Sequence, residues 1–451
     1  MTVVNPMDYG ATGNGSADDL PALQAAVNAL PTAGGIVFLP AGKSFKKTNL
    51  WTITKNHVKF WSVNRGGELF QAVNGLTRHQ STLFSNTTGC GFFGVKLRSD
   101  ATARFSALED NQISADHAAL VEVAGCEIQG SAAVGVFLYG SNEHYIEGNY
   151  VHLTYADHIH HTAAAYNSWC WGNWIYNVSP SAGDDGIAAV TYGSGAPRCH
   201  DMEWWQNSFL HSDGGRGYAV VGGDRISIHD NWARGAAAAG ILVAGESNTS
   251  ASQDVTVTNN FVDACGHVVG HPGILVSGFS PEGPLVNVTL TNNLSYNTPN
   301  GPYRSEGSVT NVVSTGLNYT SLPSPGPLLT NVAMADTTVL RTRDVSHAPS
   351  NTRAGMYRIH VRQNGAAYQQ RFEYVVKATS GMSSFIDQRT AAGDYISETR
   401  SVAGTDYAVL LTGTPFTLPG GISGVSFAEM RAGDNDGSLS WLWSRVNGTA
   451  Y

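Results

Sequence analysis

Charge is scarce in this chain of 451 residues, at 14%, and positive charge is scarcer still. Lys is absent between Lys96 and Lys377, which excludes a lysine base from any chemistry in that span. From 105 to 300, four arginines (Arg198, Arg216, Arg225 and Arg234) face nineteen Asp and Glu. A groove for a strongly acidic polymer would need more cations, and the net charge of −9 argues against nucleic acid as a partner. No stretch approaches the ~20 apolar residues of a membrane span. Cysteine is also sparse: Cys90, Cys126, Cys170, Cys199 and Cys265 are odd in number and lack metal-type spacing. They read as buried free thiols.

What is abundant is Gly, 51 of it, and an Asn that recurs at the end of a strand. It appears as Gly148-Asn149, Gly172-Asn173, Gln206-Asn207, Asp230-Asn231, Asn259-Asn260 and Asn292-Asn293. A second marker runs in phase with it. It reads Gly135-Val136-Phe137, His158-Ile159-His160, Gly186-Ile187-Ala188, Gly217-Tyr218-Ala219, Gly240-Ile241-Leu242 and Gly273-Ile274-Leu275. Two in-phase markers with a base period near 24 residues predict stacked coils, each of three short strands, in a right-handed parallel β-helix. Ahead of the Asn turns, Ile146, Cys170, Trp204, Ile228, Val257 and Leu290 share one position and are all apolar, so they point inward. The Asn residues are expected to stack as a ladder, taking the left-handed turn themselves.

The solenoid is expected over 50–325, behind a cap over 1–60. In the cap, Ser16-Ala17-Asp18-Asp19 offers a helix N-cap, and Leu20, Leu23, Ala26, Val27 and Leu30 follow at helical spacing. Such a helix would cover the open end of the coils. The Pro-rich run Ser321 to Pro327 breaks the period. Alternating stretches such as Tyr357–Arg362 and Phe372–Val376 then predict a β-sandwich over 335–451, for binding, trimerisation or capping.

The cap resembles the pectate-lyase superfamily, whose members open on an Asp-[Phe/Tyr]-Gly-Ala-x-Gly-Asp-Gly-x-x-Asp-Asp motif. Asp8 to Asp19 and Gly34 to Gly42 match that family's pattern, with Asn14 in place of its usual Asp. The resemblance implies the fold and leaves the chemistry open among epimerases, lyases, hydrolases and phage tailspikes. Because family-like sequence begins at Val4, no signal peptide is expected in this chain, and the protein is expected to be extracellular or virion-associated.

The coil alignment brings chemistry together. Asp157, Asp185 and Arg216 fall on one position of three neighbouring coils, with Asp184 just before Asp185. Carboxylates within about 5–10 Å raise one another's pKa, so that one stays a proton donor while another is ionised. Glycoside hydrolysis needs that division of labour. Arg216 would hold one carboxylate ionised or bind substrate. Small residues at Gly186, Ala188, Gly217 and Ala219 are expected to face outward as a shallow floor, bordered by His158 and His160, with His211 and Asp213 overhanging it. His161 alternates inward as a core histidine. The competing reading is that the acids only cap turns through backbone N–H groups.

These three coils resemble polygalacturonases, which carry Asn-Thr-Asp-Gly, Gly-Asp-Asp-Cys-Ile-Ala and Gly-His-Gly. Here they read Tyr155-Ala156-Asp157-His158, Gly183-Asp184-Asp185-Gly186-Ile187-Ala188 and Gly215-Arg216-Gly217. The resemblance implies Asp184 as general acid, with Asp157 and Asp185 activating water for inversion. The family's Arg-Ile-Lys motif is missing, which favours a neutral or differently substituted glycan over galacturonan. The expectation is a polysaccharide-degrading glycoside hydrolase without a cofactor. Its rivals are a lyase or epimerase (where Ca²⁺ would enter), a fructan transglycosylase and a non-catalytic glycan-binding tail fibre. Six of ten Trp lie between 169 and 232, with Trp171 and Trp205 on one outward position. That pair suggests a subunit interface or a sugar platform, and the likeness to tailspikes implies a homotrimer.

Overall fold

Short apolar stretches that alternate in and out, each ended by a left-handed residue, can only bury their inner faces by stacking on the next turn of chain. The computed structural model describes residues 2–320 apart from 73–80, 106–109, 178–182, 213, 297 and 316–317, and, beyond 320, a set of short strands. The chain divides into two compact units, Met1–Thr320 and Ser321–Tyr451.

The first unit is a solenoid of three parallel sheets. Two have 12 strands and the third has 10. One coil runs through Asn142–Glu147, Tyr150–His152 and Ile159–Thr162, and the next through Tyr166–Trp171, Trp174–Tyr176 and Ile187–Val190. The expected register holds. Val136, Ile159, Ile187, Tyr218, Ile241 and Ile274 pair in turn along the third sheet. Ile146, Cys170, Trp204, Ile228, Val257 and Leu290 pair along the first, and all six are 0% exposed. All five cysteines are free and buried, and burial pushes the Cys170 thiol up to about 12.

The Asn ladder is present, with one correction. The left-handed residue is the one before each ladder Asn: Gly148, Gly172, Gln206, Asp230, Asn259 and Asn292. The ladder amides face inward and bond along the stack. Asn207 Nδ2 donates to Asn231 Oδ1 at 3.0 Å and to the Cys170 carbonyl at 2.9 Å. Its Oδ1 accepts from the Asn173 backbone N–H and side-chain amide.

The cap helix spans Leu20–Ala29, and Leu23, Ala26 and Val27 on its buried face join the solenoid core. Ser16-Ala17-Asp18 belongs to a strand, Asn14–Asp18, and Asp19 takes the expected N-cap position of the helix, with Asp18 Oδ1 accepting the Leu20 N–H at 3.3 Å. Asp19 turns back, and its carboxylate accepts from Thr12 N at 2.6 Å and Gly13 N at 3.1 Å, pinning the opening turn. In the second unit, Thr337–Thr342, Gly355–Gln363 and Gln369–Val376 form one antiparallel sheet. Thr399–Val402, Asp406–Leu410, Phe427–Arg431 and Trp441–Trp443 form another.

Candidate active site

Asp157, Asp185 and Arg216 sit at the corner where successive coils enter the third sheet. Their backbones pair there: the amide after Asp157 donates to the Asp185 carbonyl, and the amide after Asp185 to the Arg216 carbonyl. Side chains follow the same stagger. Asp157 Oδ1 accepts the Asp185 N–H at 2.9 Å, and Asp185 Oδ1 accepts the Arg216 N–H at 2.8 Å. The turn-capping role is therefore real for one oxygen of each acid. The remaining oxygens meet basic side chains. Asp157 Oδ2 pairs with His160 Nδ1, and Asp185 Oδ2 accepts from Arg216 Nη1 at 3.3 Å. Asp184 differs: its carboxylate is 35% exposed, and its partner is Arg104 Nη1 at 3.4 Å.

One carboxylate oxygen from each of Asp157, Asp184 and Asp185 lies within 4.8 Å of the others. Three anions that close cannot all stay charged. Burial pushes Asp157 up, but the His160 contact, with the Asp185 N–H behind it, outweighs burial and leaves Asp157 below the usual carboxylate range. Burial and the Asp157 charge raise Asp184 against the pull of Arg216 and Arg104. Burial pushes Asp185 up to about 8, with Arg216 opposing and the other two acids assisting. The pair Asp184–Asp185 therefore holds a proton at neutral pH beside an ionised Asp157, and the titration belongs to the pair.

The spacing is also tight enough for the three acids to share a divalent cation. Two of them, however, already face basic side chains of the protein, the His160 ring and the Arg216 guanidinium. Arg216 reaches on to Glu246 Oε1 at 3.2 Å.

Several sequence expectations change. His158 does not border the site. It is 0% exposed, faces the interior edge-on to Phe209 with rings 6.2 Å apart, and its Nδ1 meets the Asp185 carbonyl. The chain bends at this corner, so the residue before the strand points inward along with the first strand residue. Gly186 shares that position, where a Cβ would lie 2.5 Å from the Phe209 ring. Ala188 and Ala219 do face outward, yet both are 0% exposed in an apolar cluster with Val190, Val221, Leu242 and Leu275, so they form no open floor. His160 does stand at the acids. His161 is a core residue, with Nδ1 at the Ala188 carbonyl and Nε2 at Ser168 Oγ. Asp213 lies outside the described residues, as does the side chain of His211.

Sequence reading missed Arg104 and Tyr192. Arg104 is 80 positions from Asp184 and reaches it across intervening coils. Tyr192 is 58% exposed and its ring lies parallel to His160, 6.4 Å away. Burial and the charges of Asp157, Asp184, Asp185 and Glu246 raise its phenol. A loop arginine and a lone tyrosine carry no periodic signal, so nothing in the sequence marked either.

A family model described as a right-handed β-helix region matches residues 111–315. Mannuronan C5-epimerase AlgE1 of Azotobacter vinelandii is 55% identical over 42 residues, 9% of this chain and 3% of that protein's length. The chain thus spans only a small part of that relative. The catalytic unit of a GH87 α-1,3-glucanase from Streptomyces thermodiastaticus is similar at a TM-score of 0.50 and 16% identity, over 71% of this chain and 69% of that one. The Agl-KA catalytic domain is similar at 0.51 and 21%, over 69% and 57%. These similarities carry the fold: the chain is a right-handed parallel β-helix protein.

Proposed function

We propose that the chain is a polysaccharide-degrading glycoside hydrolase, secreted or carried on a virion. The observation that supports this reading most is a half-exposed Asp184, its pKa raised, within 4.8 Å of an ionised Asp157. Protonating a glycosidic oxygen requires an acid that keeps its proton near neutral pH and can reach the substrate. Asp185 is the more enclosed of the pair and is engaged by Arg216 through both oxygens, so Asp184 is the donor. Arg216 and Asp185 fix the corner on which Asp184 stands. The cluster's positive charge comes from the chain's own side chains, so the reaction as proposed needs no metal.

The experiment is a polysaccharide panel, scored for new reducing ends, unsaturated products and product mass, with and without a chelator. Reducing ends without unsaturation support hydrolysis. Binding without turnover on every polymer would leave a glycan-binding fibre instead.

A second reading draws on Arg104. With Arg216 it brings two guanidinium groups to the acids, which is what a lyase or epimerase needs to neutralise a uronate carboxylate. Products absorbing in the ultraviolet, or activity lost to the chelator, would decide for that class.

A further inference from the structure

The three carboxylates leave a gap in the hydrolysis reading. Inverting hydrolysis places its two carboxyl groups roughly 6.5–9.5 Å apart, so that a water fits between them. Here the nearest oxygens of all three acids lie within 4.8 Å. Both oxygens of Asp157 are also engaged, one by the Asp185 N–H and one by His160. Asp157 is poorly placed to take a proton from water, and so is Asp185, bonded twice to Arg216.

His160 has what they lack. It projects outward from Ile159–Thr162, the strand that follows Asp157. Its Nδ1 faces Asp157 Oδ2. An ionised carboxylate only accepts, so Nδ1 carries a proton, and in the neutral ring Nε2 keeps a lone pair. No described residue bonds Nε2, and the His160 side chain keeps a small exposed edge of 6%. The ring is held between Phe137, 5.5 Å away at 19°, and Tyr192, 6.4 Å away at 15°. Those two rings fix its plane, Asp157 fixes its rotation, and Nε2 is turned away from Asp157.

We propose that His160, through Nε2, is the general base at this site, and that Asp157 is its positioning residue. This rests on the hydrolase reading above. In the step, a water oxygen bonds to the anomeric carbon and gives a proton to Nε2. The bond from that carbon to the leaving oxygen breaks, and the Asp184 carboxyl gives its proton to that oxygen. The imidazolium formed faces the Asp157 carboxylate, and solvent then returns a proton to Asp184 and removes one from His160.

Two measurements test the assignment. With a polymer that the wild type cleaves, His160→Gln is expected to lower kcat by ~10²–10⁴-fold with KM within a few-fold. Asp157→Asn should lower kcat as well, and the double variant should be no worse than the poorer single, as for groups acting as one unit. A His160→Gln variant that folds and keeps wild-type kcat overturns the proposal. The second measurement needs no substrate: nuclear magnetic resonance of isotope-labelled histidine reads which ring nitrogen of neutral His160 carries the proton. The expected answer is Nδ1 in the wild type, with the other tautomer appearing in Asp157→Asn. A proton on Nε2 in the wild type overturns the proposal. If the wild type cleaves no polymer, the hydrolase reading fails by itself, and the tautomer decides for or against the His160 pairing.

Discussion

Four carboxylates and two histidines of this chain show how neighbours set a residue's chemistry. Asp19 accepts backbone N–H groups and only holds a turn. Asp157 and Asp185 each cap an amide and meet a basic side chain, while Asp184 keeps an exposed edge. Asp184→Asn is therefore expected to lower turnover at least ~10²-fold with little change in melting temperature, since it removes a positioned acid but no structural bond network. A variant that unfolds would show that Asp184 is structural, and wild-type turnover would remove it as the donor. Burial also sets the pH dependence of stability. Asp185 is raised from 3.8 to about 8, so its contribution is full below the ordinary value and is lost as pH rises through about 8. His158 and His161 are lowered by burial from 6.5 to about 4, so theirs is full above 6.5 and is lost as pH falls through about 4. Melting temperature should peak between those limits. Asp185→Asn, which can still accept the Arg216 N–H, should flatten the alkaline side and steepen the acid side, where between about 4 and 6.5 Asp185 opposes the two histidines. An alkaline side as steep as the wild type's would mean that Asp185 is ionised throughout.

The coil, at the scale of elements, was the most legible part of the sequence, because burial against a neighbour repeats. Six inward residues ahead of six Asn turns gave the register, and the register brought Asp157, Asp185 and Arg216 into line. Legibility stopped at the corners. The two-residue alternation that placed Ile146 and Cys170 correctly does not carry across a bend, which is why His158 and Gly186 face Phe209 instead of substrate. Loops that span coils have no period, so Arg104 was invisible beside the aligned acids. The ladder is the element whose cost can be tested. Asn207→Ala removes the acceptor of two Asn173 bonds and two donations of its own, to Cys170 and Asn231. With buried partners left unsatisfied, the loss should be about 2–4 kcal/mol, read from the midpoint of urea unfolding. Loss of a few tenths would mean that water replaces the amide. Gly186→Ala should destabilise for a different reason, since its Cβ would sit 2.4 Å from the Gly217 carbonyl as well as against Phe209.

At the scale of the whole molecule, the open question is how many chains assemble. The homotrimer expected from the sequence rested on three grounds: Trp171 and Trp205 on one outward face, an added C-terminal β domain and the likeness to tailspikes. The two indoles do share a position, but their rings stack on each other, 5.1 Å apart at 7°, and Trp205 stacks on His229, 6.1 Å apart at 9°. Rings stacked along the solenoid spend their faces on one another, and both indoles are half-buried within a single chain. A sugar platform would need those faces free, and an apolar interface would need a larger uncovered patch. Neither partner is required to explain this pair, so light scattering should give the 47.8 kDa of one chain. A particle three times heavier would restore the trimer, and Trp205→Lys would then locate it. Dissociation by that change would put the contact on the indole row. A trimer that persists would place it elsewhere, with residues 321–451 the next segment to remove.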